Sequence, residues 1–230
     1  YGPKPIKAPG LTNYPVSDEE VVALTNEIWG NIDGEKIVEN SLGKGKMVWG
    51  IPLKELMERL NIEPDFQYIS DSRQADIIYN HRRTGNTDFY FISNQTIRSE
   101  SLECFFRVGN KQPEIWYPDN GEMKKAAHYE VVDGRVKMPL QLDPYGAVFV
   151  VFREPAGRSI TKIEGPGSIS SHQIWKEKND YVFTAGMNGN YVLHSNKGKT
   201  TEISVKDLPA PIMISGSWQV RFPEGWGAPA

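Results

Sequence analysis

One cysteine, Cys104, is all the sequence has, so no internal disulfide can form within its 230 residues. It sits in Leu102-Glu103-Cys104-Phe105-Phe106, among apolar neighbours and with no local base, which suits a small buried hydrophobe better than a nucleophile. Long hydrophobic runs are missing too. The longest, Ala147-Val148-Phe149-Val150-Val151-Phe152, has the length of one buried strand, far short of the ~20 residues of a membrane-spanning helix. Nor is there an excess of positive charge. A net charge of -3 argues against nucleic acid or an anionic membrane as the main partner, because both favour a basic surface.

The motifs of several common chemistries are also absent. His81, His128, His172 and His194 are far apart, and neither His-x-x-x-His nor Cys-x-x-Cys occurs, so no metal ligand is nominated. Gly43-Lys44-Gly45-Lys46 lacks the spacing and the following Ser/Thr of a phosphate loop and suits a hairpin turn. There is no Gly-x-Ser-x-Gly elbow. A glycosidase would need two carboxylates flanking the scissile bond. Most acidic residues instead fall at a helix start (Asp18, Glu19, Glu20) or in turns (Asp119, Asp133, Asp143). No catalytic residue is therefore nominated.

What remains has the composition of a folded domain, 39% hydrophobic and 24% charged. Ser17-Asp18-Glu19-Glu20 predicts a capping box, followed by Val21, Leu24 and Ile28 at helical spacing with Trp29 on the flank. Short strands are expected over 36–40 and 46–49. A second helix follows Ile51-Pro52, with Leu53, Leu56, Met57 and Leu60 as its apolar face. This alternation predicts a partial α/β module over residues 1–74.

From Ala75 the hydrophobic period changes to two. Strands are expected over 77–83, 89–92, 104–108, 114–117, 128–132, 135–140 and 147–152. They are separated by Gly, Asn, Asp and Pro turns, and the spacing predicts an antiparallel β-sandwich over 75–153. Val148, Val150 and Phe152 are expected to meet Phe89, Phe91 and Phe105 in its core. Five further strands, over 159–163, 172–176, 181–185, 189–194 and 200–205, predict a second small β unit over 154–215. The fold class is thus α+β, predominantly β.

His81-Arg82-Arg83 groups three cation-capable side chains at a strand end beside a turn, where they are expected to point out of the sandwich. His81 and Arg82 are the candidate substrate-binding residues. They could bond a sugar hydroxyl or a carboxylate of a neighbouring domain. The simpler alternative is a surface salt-bridge cluster. Trp116, Tyr117, Trp175 and Trp218 could stack on sugar rings or simply pack between elements.

Three stretches carry a family resemblance. Ile78 to Asn94 (with Tyr79-Asn80-His81-Arg82-Arg83-Thr84-Gly85-Asn86), Gly109 to Gly121 (with Gln112-Pro113-Glu114-Ile115-Trp116-Tyr117-Pro118) and Leu140 to Phe152 (with Pro144-Tyr145-Gly146) resemble segments near the C-terminal end of family 106 glycoside hydrolases, the bacterial α-L-rhamnosidases. Tyr14-Pro15 and Gly43 to Gly50 fit the region just before, and Ser215 to Phe222 looks like the lead into a jelly-roll sugar-binding module over 216–230. The resemblance implies a secreted or periplasmic parent enzyme that hydrolyses terminal α-L-rhamnosides of pectin-type plant glycans. It also implies that the catalytic carboxylates, and any calcium, lie on a (β/α)8 barrel upstream of the matched part, with no cofactor in this chain. The expected partners are that barrel, the parent's other domains and rhamnose-containing glycans. Tyr1-Gly2-Pro3-Lys4-Pro5 has neither an initiator Met nor a signal peptide, and the last residues begin a new strand, so both ends are expected to continue into a longer protein. The leading expectation is a noncatalytic ancillary fragment. A carbohydrate-binding β module and a structural interdomain scaffold are the alternatives. An independent enzyme with an amidotransferase-like α/β part is disfavoured by the missing nucleophile motif.

Overall fold

A computed structural model describes residues 1–167, 174–210, 212–221 and 225. The chain divides into two compact units, Tyr1–Pro64 and Asp65–Ala230.

The first unit contains α1 (Val16–Trp29), the hairpin of β1 (Glu39–Leu42) and β2 (Gly45–Val48), and α2 (Leu53–Arg59). The expected capping box does not form. The helix already starts at Val16, and Pro15 in the N-cap position provides no side-chain bond. Ser17 is therefore helical, its buried hydroxyl has no hydrogen-bond partner among the described residues, and Asp18 accepts the Ala8 amide instead at 2.9 Å. Thr25, buried, lies on the inner face of α1 and its hydroxyl donates to the Pro5 carbonyl at 3.1 Å, whereas Leu24 is exposed. The first hairpin strand starts three residues later than expected. Asp33 Oδ1 accepts the amides of Glu35, Lys36 and Ile37, which closes a side-chain-capped turn there and postpones pairing to Glu39. Only Leu56 of the expected α2 face is buried; with Val48 and Ile51 it forms a small core, and Leu53 and Leu60 stay about half exposed.

The second unit is built on two facing antiparallel sheets. The smaller contains β3 (Phe66–Ser70), β6 (Glu100–Phe106), β10 (Arg135–Leu142) and β9 (Glu130–Val132), in the order β3-β6-β10-β9. The larger adds β4 (Ile77–Thr84), β5 (Thr87–Asn94), β7 (Lys111–Tyr117), β8 (Glu122–Ala126), β11 (Ala147–Pro155), β13 (Ile174–Glu177) and β14 (Asp180–Phe183), in the order β14-β13-β8-β7-β11-β5-β4. β3 lies ahead of the expected sandwich start and pairs with β6, Tyr68 opposite Cys104. The third sheet joins β12 (Ile160–Glu164), β15 (Gly189–Ser195) and β16 (Thr200–Val205) in the order β12-β15-β16. β13 and β14, expected in a separate small unit, instead extend the large sheet, with β13 pairing along β8 and covering what would be an open edge. The first two residues of the expected strand 172–176 lie outside the described residues. In the terminal segment, described residues 212–221 form no strand. Phe222, Pro223, Glu224, Trp226 and Gly227 of the expected final run lie outside the described residues.

The core phase differs from expectation on two of three strands. Val148, Val150 and Phe152 point inward as expected, but β5 turns in Tyr90 and Ile92, and β6 turns in Cys104 and Phe106. Phe91 and Phe105 face away, and Phe91 packs on Phe149 across the outer face with centroids 5.0 Å apart. The inward set of β5 also carries Asp88 and Asn94, and both are satisfied. Asn94 Nδ2 donates to the carbonyls of Arg98 at 2.6 Å and Asp143 at 2.9 Å. Burying these polar groups is tolerable only because each has partners. Cys104 is fully buried, and burial pushes its thiol well above its ordinary range, in keeping with a packing role.

Candidate functional site

β4 is an edge strand, so its side chains alternate between the sandwich rim and the outer face of the large sheet. His81 turns to the rim and Arg82 to the outer face, and the structure thereby separates the two nominated residues. His81 does not point out of the sandwich. Its ring lies flat on Tyr90, its Nδ1 is 3.2 Å from Asp65 Oδ2, and its Nε2 is 3.1 Å from Asp88 Oδ1. Both ring nitrogens thus face carboxylates, and neither is left for a sugar hydroxyl.

The two carboxylates are shared with Lys and Arg side chains. Lys111 Nζ lies 2.7 Å from Asp88 Oδ2 and also donates to the Asn86 carbonyl, while Arg107 pairs with Asp65. Arg83 reaches Asp88 at 3.9 Å and donates to the Gly85 carbonyl at 3.3 Å. Burial works against the charge of Asp65, but hydrogen bonds from His81 and Arg107 outweigh it and hold the carboxyl below the usual range. At Asp88 burial is again opposed, here by Lys111 and His81, with the same net direction. With cations already on both carboxylates, the cluster is a poor fit for a divalent metal. Among the described residues no group of three or more metal-capable side chains is gathered to hold one.

Arg82 has a different setting. Its cross-strand partner is Phe89, it is exposed, and it makes no hydrogen bond or ion pair among the described residues. Beside it on the outer face lies a second polar centre that the sequence did not single out. Buried Glu114 accepts from Arg153 Nε and Nη2, both at 2.9 Å, and from Trp116 Nε1 at 3.0 Å. The Arg153 guanidinium lies over the Trp116 ring at 5.4 Å, and Phe89 meets that ring edge-on. Trp116 is thus part of a packed ion-pair assembly. Trp175 carries Lys124 over its ring at 4.5 Å, Tyr117 packs against the main core, and Trp218 is exposed.

Sequence reasoning missed Asp65, Asp88, Arg107, Lys111, Glu114 and Arg153. For Asp88 a signal existed: it shares the parity of Tyr90 and Ile92, so a carboxylate stands in an inward-facing set. For Asp65, sixteen residues ahead of His81 and just before β3, no local pattern announces the contact.

The comparisons with known proteins agree with this architecture. The family model described as alpha-L-rhamnosidase, glycoside hydrolase family 106, matches residues 1–131, more than half of the chain. A protein of Formosa agariphila named "Putative beta-glucuronidase" is 39% identical over 153 residues, covering 66% of this chain and 12% of its own length. The solved structure of a rhamnosidase from Novosphingobium sp. PP1Y superposes with a TM-score of 0.56 at 29% identity, over 71% of this chain and 16% of that one. The chain therefore spans between a tenth and a fifth of the length of these relatives. It is a glycoside hydrolase-related protein, and it belongs to the α-L-rhamnosidase family, glycoside hydrolase family 106.

Proposed function

We propose that this chain is a noncatalytic ancillary region of a secreted α-L-rhamnosidase that acts on pectin-type plant glycans. The observation that carries this reading is the fate of the buried carboxylates. Asp88 is bonded to Lys111 and His81, and Glu114 to Arg153 and Trp116. Glu100 accepts from Ser70 at 3.2 Å and Thr96 at 3.3 Å, with Arg98 at 3.5 Å. A general acid must give up a proton to a leaving group, and a general base must face a water. Carboxylates tied this fully to donors of their own fold serve packing instead. The small share of the relatives' length that this chain covers supports the same reading.

In this proposal the rim cluster keeps β4 rigid and Arg82 is the contact residue. A guanidinium with no partner among the described residues can hold a carboxylate of the catalytic barrel in a two-point geometry that Lys does not reproduce. His81 acts as a positioning residue through Asp65 and Asp88. The test is kinetic, in the longer enzyme that contains this chain. Arg82→Lys should lower kcat/KM on an aryl α-L-rhamnoside about tenfold, or ~1.4 kcal/mol of transition-state stabilisation, with the melting temperature unchanged. Wild-type kinetics for Arg82→Lys would remove Arg82 from the interface.

A further inference from the structure

Between the third sheet and the β13–β14 hairpin lies a cleft of about 370 Å³, within the range of small-molecule sites. Its floor is apolar: Ile160 and Leu193 are buried members of the local core, and Tyr181 and Phe183 wall it from the hairpin side. The rim is polar and carries both signs of charge, with Arg158, Asp180 and Lys199.

Arg158 is held rather than free to swing. Its Nε donates to the Tyr181 hydroxyl at 3.2 Å, its Nη2 donates to the Asn179 carbonyl at 2.9 Å, and its guanidinium lies 4.8 Å from the centre of the Tyr181 ring. Its Nη1 carries no hydrogen bond among the described residues, so one donor remains. The Asp180 carboxylate and the Lys199 ammonium likewise have no side-chain partner among the described residues. Asp180 opens β14 and Lys199 immediately precedes β16, so paired strands position both.

This combination selects a chemistry. A wholly apolar ligand would desolvate three charged groups and give them nothing in return. A simple anion meets Asp180, and a simple cation meets Arg158 and Lys199. A pyranose ring offers an apolar C–H face for the floor and a belt of hydroxyls that both donate and accept. Two neighbouring hydroxyls can donate to one carboxylate, while others accept from the cations.

We infer that this cleft binds one neutral pyranose unit of a glycan, Asp180 accepting from its hydroxyls and Lys199 and Arg158 donating to them. The ligand class rests on the glycoside hydrolase reading above. The 230-residue chain, uniformly labelled with ¹⁵N, is titrated with L-rhamnose and with D-glucose while amide shifts are followed. The expected result is saturable movement of residues 158, 180–183 and 199–201 with at least one sugar, at a Kd of about 1 mM or weaker. Asp180→Asn and Lys199→Gln should each weaken that sugar about tenfold, and unmoved amides elsewhere would confirm that both variants fold. No movement with either sugar, or equal affinity in both variants, overturns the inference. A silent cleft leaves the ancillary reading intact, because turnover of an aryl α-L-rhamnoside by the purified chain decides that reading separately.

Discussion

The imidazole of His81 lies parallel to the phenol ring of Tyr90, with centroids 4.1 Å apart and an interplanar angle of 5°. That stack joins the edge strand β4 to the buried face of β5, while the two ring nitrogens tie it to Asp65 and Asp88. Removing the ring should therefore be felt as stability. His81→Ala leaves two carboxylates short of a donor and should destabilise the chain by about 1–3 kcal/mol in urea unfolding. Arg82→Lys, one residue away on the opposite face, should stay within about 0.5 kcal/mol of wild type. Equal effects of the two would mean that the alternation of β4 is misassigned.

The same cluster gives a pH dependence with a definite sign. Asp65 and Asp88 are held below the ordinary carboxylate range in the folded chain, so the unfolded chain takes up their protons first. Their contribution is fully present above the unfolded value of about 4, and it is lost as pH falls through the lower folded values. Urea midpoints should fall between neutral pH and acid, and Asp88→Asn should give a shallower acid limb than wild type. Parallel limbs would show that Asp88 titrates alike in both states.

Phe91 and Ile92 test the strand phase. Ile92 is fully buried in the main core, and Ile92→Ala should cost about 2–5 kcal/mol. Phe91 is 36% exposed and packs on Phe149 alone among aromatics, so Phe91→Ala should cost less than Ile92→Ala despite removing the larger side chain. A reversed order in chemical denaturation would restore the phase expected from the sequence.

That phase shows how far the sequence could be read. β10 alternates cleanly, and its inward residues are legible because every second position is apolar and the others mostly are not, whereas β11 is apolar at both parities from Ala147 to Phe152 and buries Val151 as well. On β5 both parities hold two large apolar residues, Phe89 and Phe91 against Tyr90 and Ile92. The parity that contains the polar Asp88 and Asn94 is the buried one, because Lys111, His81 and the carbonyls of Arg98 and Asp143 satisfy them. Those partners come from other strands and loops, and no window of local sequence contains them. The site was legible to the same extent. His81 and Arg82 could be found as a cluster, but their separation to opposite faces depends on the register with β5. The cleft at the third sheet depends on the β13–β14 hairpin leaving β12 and β15 to join the large sheet through β8, which spacing alone does not encode.

Glu114 and Arg153 should behave as a unit. Arg153→Met leaves a buried carboxylate with only the Trp116 N–H, and it should destabilise the chain by ~1–3 kcal/mol. The double variant Arg153→Met/Glu114→Gln should be more stable than Arg153→Met alone, since the unpaired charge is gone. Strictly additive losses in a double-mutant cycle would deny the coupling.

On the reading proposed above, this member of glycoside hydrolase family 106 carries no catalytic pair of its own. The purified 230-residue chain should therefore turn over 4-nitrophenyl α-L-rhamnopyranoside no faster than buffer, at any pH from acid to neutral. Release of 4-nitrophenol above the buffer rate, abolished by replacing one of its carboxylates without loss of fold, would contradict the account.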